Sequence, residues 1–330
     1  MIPEDPPKMQ RLLYLDGWRG LAIICVVIGH FIPIADKAGA LGVELFFVLS
    51  GRLMAQILFY EQMPLGHFFK RRASRIIPAL FFFCGIMFGV SIMAYYFHIN
   101  SGFLVKPLDL ISALTFTMNY AVVLLHTNSI LVHTWSVSVE EHSYILLALI
   151  AVLFRRNPQR AALICLAISI LAILNGARLS YMGVGGVHEI YWRTDVRIAS
   201  SFLSVAVYVA FKNLPPMRSF VAPMALVIGA ATMMSQSPLP LLYSLGTGLI
   251  AIAVNALDTA PKAILSFFSS KPLRVTGILS YSIYLWQQPF YIALSKIPAA
   301  FAFLGLLICG VVSYYCIEQP ARRYLNLHWR

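Results

Sequence analysis

The run Lys70-Arg71-Arg72-Ala73-Ser74-Arg75 stands directly before the apolar stretch Ile76-Ile77-Pro78-Ala79-Leu80-Phe81-Phe82-Phe83, which continues to Ile99. A cationic block abutting such a stretch marks the cytoplasmic end of a membrane-crossing helix. Arg72 and Arg75 are three residues apart, so a helix projects them from one face. Two guanidiniums so placed offer planar forks of donors to the oxygens of a polyphosphate, and Arg71 adds a third charge beside them. The same block also serves as a plain positive-inside anchor, and the cluster alone leaves both readings open.

Outward from that boundary, the composition agrees with a membrane solvent. Of 330 residues, 59% are hydrophobic and 12% charged, about half the roughly 25% charged share of a soluble domain. Apolar runs long enough to cross a bilayer recur along the whole chain, without the alternation of a barrel, so the class is all-α and polytopic. The net charge of +12 is accounted for by cytoplasmic loops rather than by nucleic acid. Five cysteines, Cys25, Cys84, Cys165, Cys309 and Cys316, lie in or at the end of apolar runs with no CxxC pair or metal spacing, as expected of inert core thiols. The first apolar run holds Asp16 and Arg19 and lacks a small-residue cleavage site, so it reads as an uncleaved span rather than a signal peptide.

The clear spans are expected at roughly 13–34, 41–60, 76–98, 135–154, 160–178, 196–212, 219–236, 240–257, 273–296 and 298–317, ten in all, with an ambiguous apolar stretch at about 107–126. If that stretch does not cross, both termini are cytoplasmic and the inner loops hold 17 of the 25 basic residues, with six outside and two within spans. If it crosses, the count becomes 10 inside and 13 outside. The positive-inside rule therefore favours ten crossings, with 107–126 re-entrant or lying on the outer surface. Short loops and the lack of a visible repeat make residues 1–330 one integral-membrane domain.

Charge inside a bilayer costs about 2.5–3.5 kcal/mol per residue on insertion scales, so each case asks for a reason. In the first span, Arg19 and His30 are eleven residues apart. They return to nearly the same helix face about 16 Å apart along the axis. One helix thus offers a cation in its inner half and a titratable imidazole in its outer half, although Asp16 and Arg19 can also simply pair. Glu44 and Arg52 interrupt the second span; Glu140 and Glu141 lie just inside the span that opens at Trp135; Arg193-Thr194-Asp195-Val196-Arg197 is an ion-pair candidate at an outer end. The acids and His30 are expected towards the outside and the arginine pair inside, the polarity of a charged donor entering from the cytoplasm and an acceptor met on the far side. A transporter or flippase of an anionic lipid-linked solute would use the same residue types, and is the alternative.

Seven stretches in this order resemble the acyltransferase-3 family of membrane-bound acyltransferases. They are Arg19…His30, Gly42-Val43-Glu44-Leu45-Phe46-Phe47-Val48-Leu49-Ser50-Gly51, Arg71-Arg72-Ala73-Ser74-Arg75-Ile76-Ile77-Pro78, and Trp135-Ser136-Val137-Ser138-Val139-Glu140-Glu141. Arg193-Thr194-Asp195-Val196-Arg197, Ser280-Tyr281-Ser282-Ile283-Tyr284-Leu285-Trp286 and Ser313-Tyr314-Tyr315-Cys316-Ile317-Glu318-Gln319-Pro320 complete the set. The resemblance implies an acyl-CoA donor, usually acetyl-CoA, no metal, and O-acylation of a sugar hydroxyl on a carbohydrate or lipid-linked glycan across a bacterial plasma membrane. It implies Arg72 and Arg75, with Arg71, at the CoA phosphates, and Arg19, His30 and Glu140 in catalysis, His30 as general base or acyl carrier with Glu140 orienting it. Glu44, Trp135, Asp195, Arg197 and Tyr284 are candidates for contact with the acceptor. Three departures stand out: Glu44 replaces an Asp, Gln287 stands where many members have His, and His142-Ser143 replaces Gln-Phe. No esterase-like domain follows the last span, so transfer is expected to finish in the membrane domain or on another protein. Glu318 is expected to pair with Arg322, and Pro320 to end the last helix.

Overall fold

The computed structural model describes residues 12–98, 104–154 and 156–329. Among them every regular element is helical. In chain order these are α1 (Leu13–Phe31), α2 (Lys37–Met54), α3 (Leu65–Tyr96), α4 (Pro107–Leu114), α5 (Met118–Leu125), α6 (Trp135–Phe154), α7 (Pro158–Tyr181) and α8 (Val187–Tyr191). There follow α9 (Thr194–Lys212), α10 (Val221–Met234), α11 (Leu239–Leu241), α12 (Thr247–Asn255), α13 (Lys262–Phe268), α14 (Lys271–Ala293), α15 (Ala299–Val312) and α16 (Gln319–His328). Wide π-type turns extend α2 to Tyr60, join α11 to α12, and join α15 to α16.

Among the described residues, seven stretches are long and apolar enough to cross a membrane: Leu13–Phe31, Lys37–Tyr60, Leu65–Tyr96, Val132–Phe154, Pro158–Tyr181, Thr194–Lys212 and Ala299–His328. The other three expected spans are helices that miss one criterion. Val221–Met234 and Leu239–Asn255 are apolar but short. The 23-residue α14 is long enough but carries Lys271, Arg274, Gln287 and Gln288. The stretch at 107–126 breaks into α4 and α5, eight residues each, with Phe116 at positive φ between them. Eight residues rise only about 12 Å, far less than the ~30 Å hydrocarbon core, so neither half crosses. Of the basic residues assigned to the inner face, Lys8, Arg11, Arg155 and Arg330 lie outside the described residues.

The polar inventory sits within the bundle and the large apolar side chains outside it. Leu163, Leu171 and Leu174 of α7 and Phe301, Leu304 and Ile308 of α15 are exposed, while Glu44, Arg52, Arg197 and Glu318 are buried. That inversion is what lipid as solvent demands. The centre is built by α1, α2, α9 and α14. Close approach of α1 to α14 depends on missing side chains: a Cβ on Gly277 would lie 1.8 Å from the Asp16 carbonyl oxygen, and one on Gly20 would lie 2.1 Å from that of Leu273.

The last helix corrects two expectations. Pro320 does not end it; the wide turn Ser313–Glu318 precedes it, and Pro320 lies in the first turn of α16, where a missing N–H is harmless. Glu318 accepts a hydrogen bond from Ser282 Oγ at 2.7 Å, and its charge interacts with Arg75 and Arg322 without a close ion pair among the described residues.

Candidate active site

A cavity opens among α1, α2, α3, α6 and α14, lined by Arg19, Ser50, Arg72, Arg75, Glu140 and Tyr144 among others. The helix spacing behind Arg72 and Arg75 works as expected, for both reach this cavity, whereas Arg71 is exposed and does not line it.

Arg72 is tightly held. Its Nη2 is 3.1 Å from Glu141 Oε1 and 3.8 Å from Glu140 Oε1, and its guanidinium carbon lies 3.5 Å from the centre of the Tyr144 ring. Glu140 in turn accepts hydrogen bonds from the hydroxyls of Ser50 and Tyr144, which are 2.9 Å from each other. Successive residues of a helix diverge by about 100°, yet the long arginine reaches both carboxylates. The expected separation of outer acids from inner arginines is therefore replaced by direct contact. A guanidinium drawn into an apolar bundle is stable only beside compensating charge. By contrast, no hydrogen bond or close ion pair holds Arg75 among the described residues, although its charge is felt by the buried Glu318, so its donor fork is open to the cavity. Arg19 pairs with Asp16 at 3.3 Å and still faces the cavity.

His30 does not line this cavity, and the Glu140 carboxylate, which does, is committed to Ser50, Tyr144 and Arg72 rather than to the imidazole. The imidazole packs on Tyr291, with ring centres 4.9 Å apart, and lies beside Gln287. It faces the bundle through α14 rather than lipid. Tyr284 stands between the two regions. Its ring lines the cavity and lies 5.5 Å from that of His133, and its hydroxyl bonds Ser136 and the His133 carbonyl.

Four acceptor candidates lie elsewhere. Arg197 Nη2 is 2.7 Å from Glu44 Oε2, both side chains almost wholly buried, under the rings of Phe47, Tyr191 and Tyr243. Asp195 pairs with Arg193 and accepts from Asn175, and the hydrogen bonds with Asp195 raise the Arg193 guanidinium above its ordinary pKa. Trp135 is buried, stacked on Trp192 at 5.2 Å and edge-on to Phe47. Sequence reasoning missed Tyr144, whose signal was its place four residues after Glu140 on the same helix face. Ser50 was inside a quoted motif but unassigned. Among the described residues no three His, Cys, Asp or Glu gather as metal ligands.

The family model for the type-3 acyltransferase domain matches residues 12–317. The chain belongs to the acyltransferase-3 family. Two relatives extend the comparison. The O-acetyltransferase OatA of Staphylococcus aureus (strain NCTC 8325 / PS 47) is 27% identical over 94% of this chain and 57% of the relative. The peptidoglycan O-acetyltransferase OatA of Listeria monocytogenes is 26% identical over 94% of this chain and 55% of the relative. The chain thus spans a little over half the length of the curated relatives it matches. No solved structure matches it.

Proposed function

We propose that this acyltransferase-3 protein moves an acetyl group from cytoplasmic acetyl-CoA to a hydroxyl of a cell-envelope glycan on the outer side of a bacterial plasma membrane. The observation that carries the reading is the cavity in which Arg75, held by no close ion pair among the described residues, faces Arg19 and Arg72 inside an apolar bundle. Such a cavity is matched to an anion with several phosphate oxygens. Arg75 receives the phosphates first, Arg19 assists, and Arg72 exchanges its hold on Glu141 for phosphate. Arg71, on the exposed face, contributes long-range attraction only. The thioester then lies along the apolar part of the cavity towards Tyr284.

His30 removes the proton of the acceptor hydroxyl as the oxygen attacks the thioester carbonyl, and the coenzyme thiolate leaves and takes up a proton. The alternative order, with His30 carrying the acetyl group transiently, uses the same residue. Glu140 acts by fixing Tyr144, Ser50 and Arg72 rather than by orienting the imidazole. The relatives' names, O-acetyltransferase and peptidoglycan O-acetyltransferase, support acetyl as the group and a wall glycan as the acceptor class.

The test is purified protein in lipid nanodiscs with radiolabelled acetyl-CoA and envelope glycan. Wild type transfers label to base-labile esters on the glycan, and His30→Ala stops transfer while acetyl-CoA still binds. Movement of a lipid-linked saccharide without consumption of acetyl-CoA would instead establish the transporter alternative.

A further inference from the structure

Outside the arginine cavity, the outer half of the bundle holds buried polar groups that the protein satisfies only in part. His133 Nε2, both polar atoms of the Gln287 carboxamide and His30 Nδ1 all lack a partner at full hydrogen-bond geometry. Gln287 is wholly buried and His133 is 6% exposed. They come from three separate elements: α1, the short 3-10 turn Val132–Thr134 before α6, and α14. The Gln287 carboxamide and the Val26 carbonyl stand at the His30 ring as loose hydrogen-bond neighbours, and His133 is within electrostatic reach of His30.

The backbone adds to the demand. Pro289 lies inside α14 and has no N–H, so the carbonyl of Leu285, four residues earlier, loses its intrahelical donor. That carbonyl is next to His133, whose Nδ1 is 3.1 Å from the Ile130 carbonyl. A neutral imidazole carries a single N–H and can satisfy one of two carbonyls. The other is left wanting a donor, while Gln287 offers both N–H and C=O. A site lacking donors at one wall and holding unpaired donors and acceptors at another suits a group that gives and takes at once. A hydroxyl does both.

We propose that His133 and Gln287 form, with His30, the seat of the acceptor, where the sugar hydroxyl to be acylated is bound and aligned beside the imidazole of His30. The inference rests on the acyl-transfer reading above and adds where the acceptor sits. His133 and Gln287 are acceptor-binding residues; His30 alone exchanges the proton. Buried polar groups with no partner weaken a fold, and a protein that keeps several together keeps them for a ligand. Tyr284, between this seat and the arginine cavity, is then the side chain past which the thioester carbonyl reaches the hydroxyl.

The experiment uses Gln287→Leu, Gln287→His and His133→Phe in the full chain. Each is purified for melting temperature and acetyl-CoA affinity, and each is returned to host membranes lacking the native copy to measure labelled acetyl ester on the envelope glycan. Gln287→Leu removes two incompletely satisfied atoms at similar volume. It should melt at or above the wild-type temperature and bind acetyl-CoA within about twofold, yet lose at least about tenfold in transfer. The loss should appear as a raised KM for glycan. Gln287→His, which keeps a donor and an acceptor, should restore transfer to within about threefold. His133→Phe should lose transfer with donor affinity intact. Unchanged transfer in both Gln287→Leu and His133→Phe overturns the seat, as does a parallel loss of acetyl-CoA binding. Failure of both variants to fold also overturns it, since these groups would then be needed for structure. If wild type itself leaves acetyl-CoA intact, the acyl-transfer reading falls first and takes the seat with it.

Discussion

Removing the carboxylate of Glu44 should reveal a structural ion pair, not an acceptor contact. Glu44 and Arg197 approach to 2.7 Å with side-chain exposures of 0% and 1%, under three aromatic rings at 4.1–4.9 Å from the guanidinium carbon. Taking the charge centres as about 4 Å apart at an effective dielectric of about 20, the attraction is about 4 kcal/mol. Glu44→Leu leaves the guanidinium buried and uncompensated, a loss of about 3–5 kcal/mol, and Arg197→Leu does the same to the carboxylate. The double variant removes both charges and should recover most of the loss, because replacing a whole buried pair with apolar groups is often neutral or stabilising. The assay is a double-mutant cycle on apparent melting temperature in detergent, read alongside acetyl transfer in membranes. The expected result is two strongly destabilised single variants, a double variant near wild type, and transfer in the double variant within about threefold of wild type. Additive losses of stability would refute the coupling. A double variant that folds normally yet transfers nothing would return Glu44 and Arg197 to the acceptor.

Other expectations are more local. Gly277→Val places atoms where the Asp16 carbonyl oxygen already lies 1.8 Å from a bare Cβ, so α1 and α14 must part and the purified protein should lose its monodisperse peak on size exclusion. Arg75→Met should weaken acetyl-CoA binding by about tenfold or more, the value of a charge-assisted hydrogen bond, while Arg71→Met on the exposed face should change it less than threefold by titration calorimetry. Tyr144→Phe keeps the ring under Arg72 but removes the hydroxyl bonded to Glu140, and should lower transfer about five- to tenfold with donor affinity nearly intact. Pro320→Ala should leave melting temperature almost unchanged, since Pro320 occupies a tolerant first-turn position.

The membrane class, the helical architecture and the family were legible in the order of apolar runs and motifs. So was the shared face of Arg72 and Arg75, because helical periodicity is local and a three-residue spacing has one geometric meaning. Pro320 misled because the wide turn ahead of it arises from packing of the last helices, and no local spacing announces a π-type turn.

Which charge meets which was decided by the assembled bundle. Glu141 grips Arg72 from 69 residues away, Arg197 leaves its neighbour Asp195 for Glu44, and Glu140 turns from His30 to Tyr144 and Ser50. Sequence alone determined that buried charges exist and need partners. Only tertiary structure decided the partners, because in a low-dielectric interior the pairing is set by which helices come within a few ångströms, and that distance is not written in chain order.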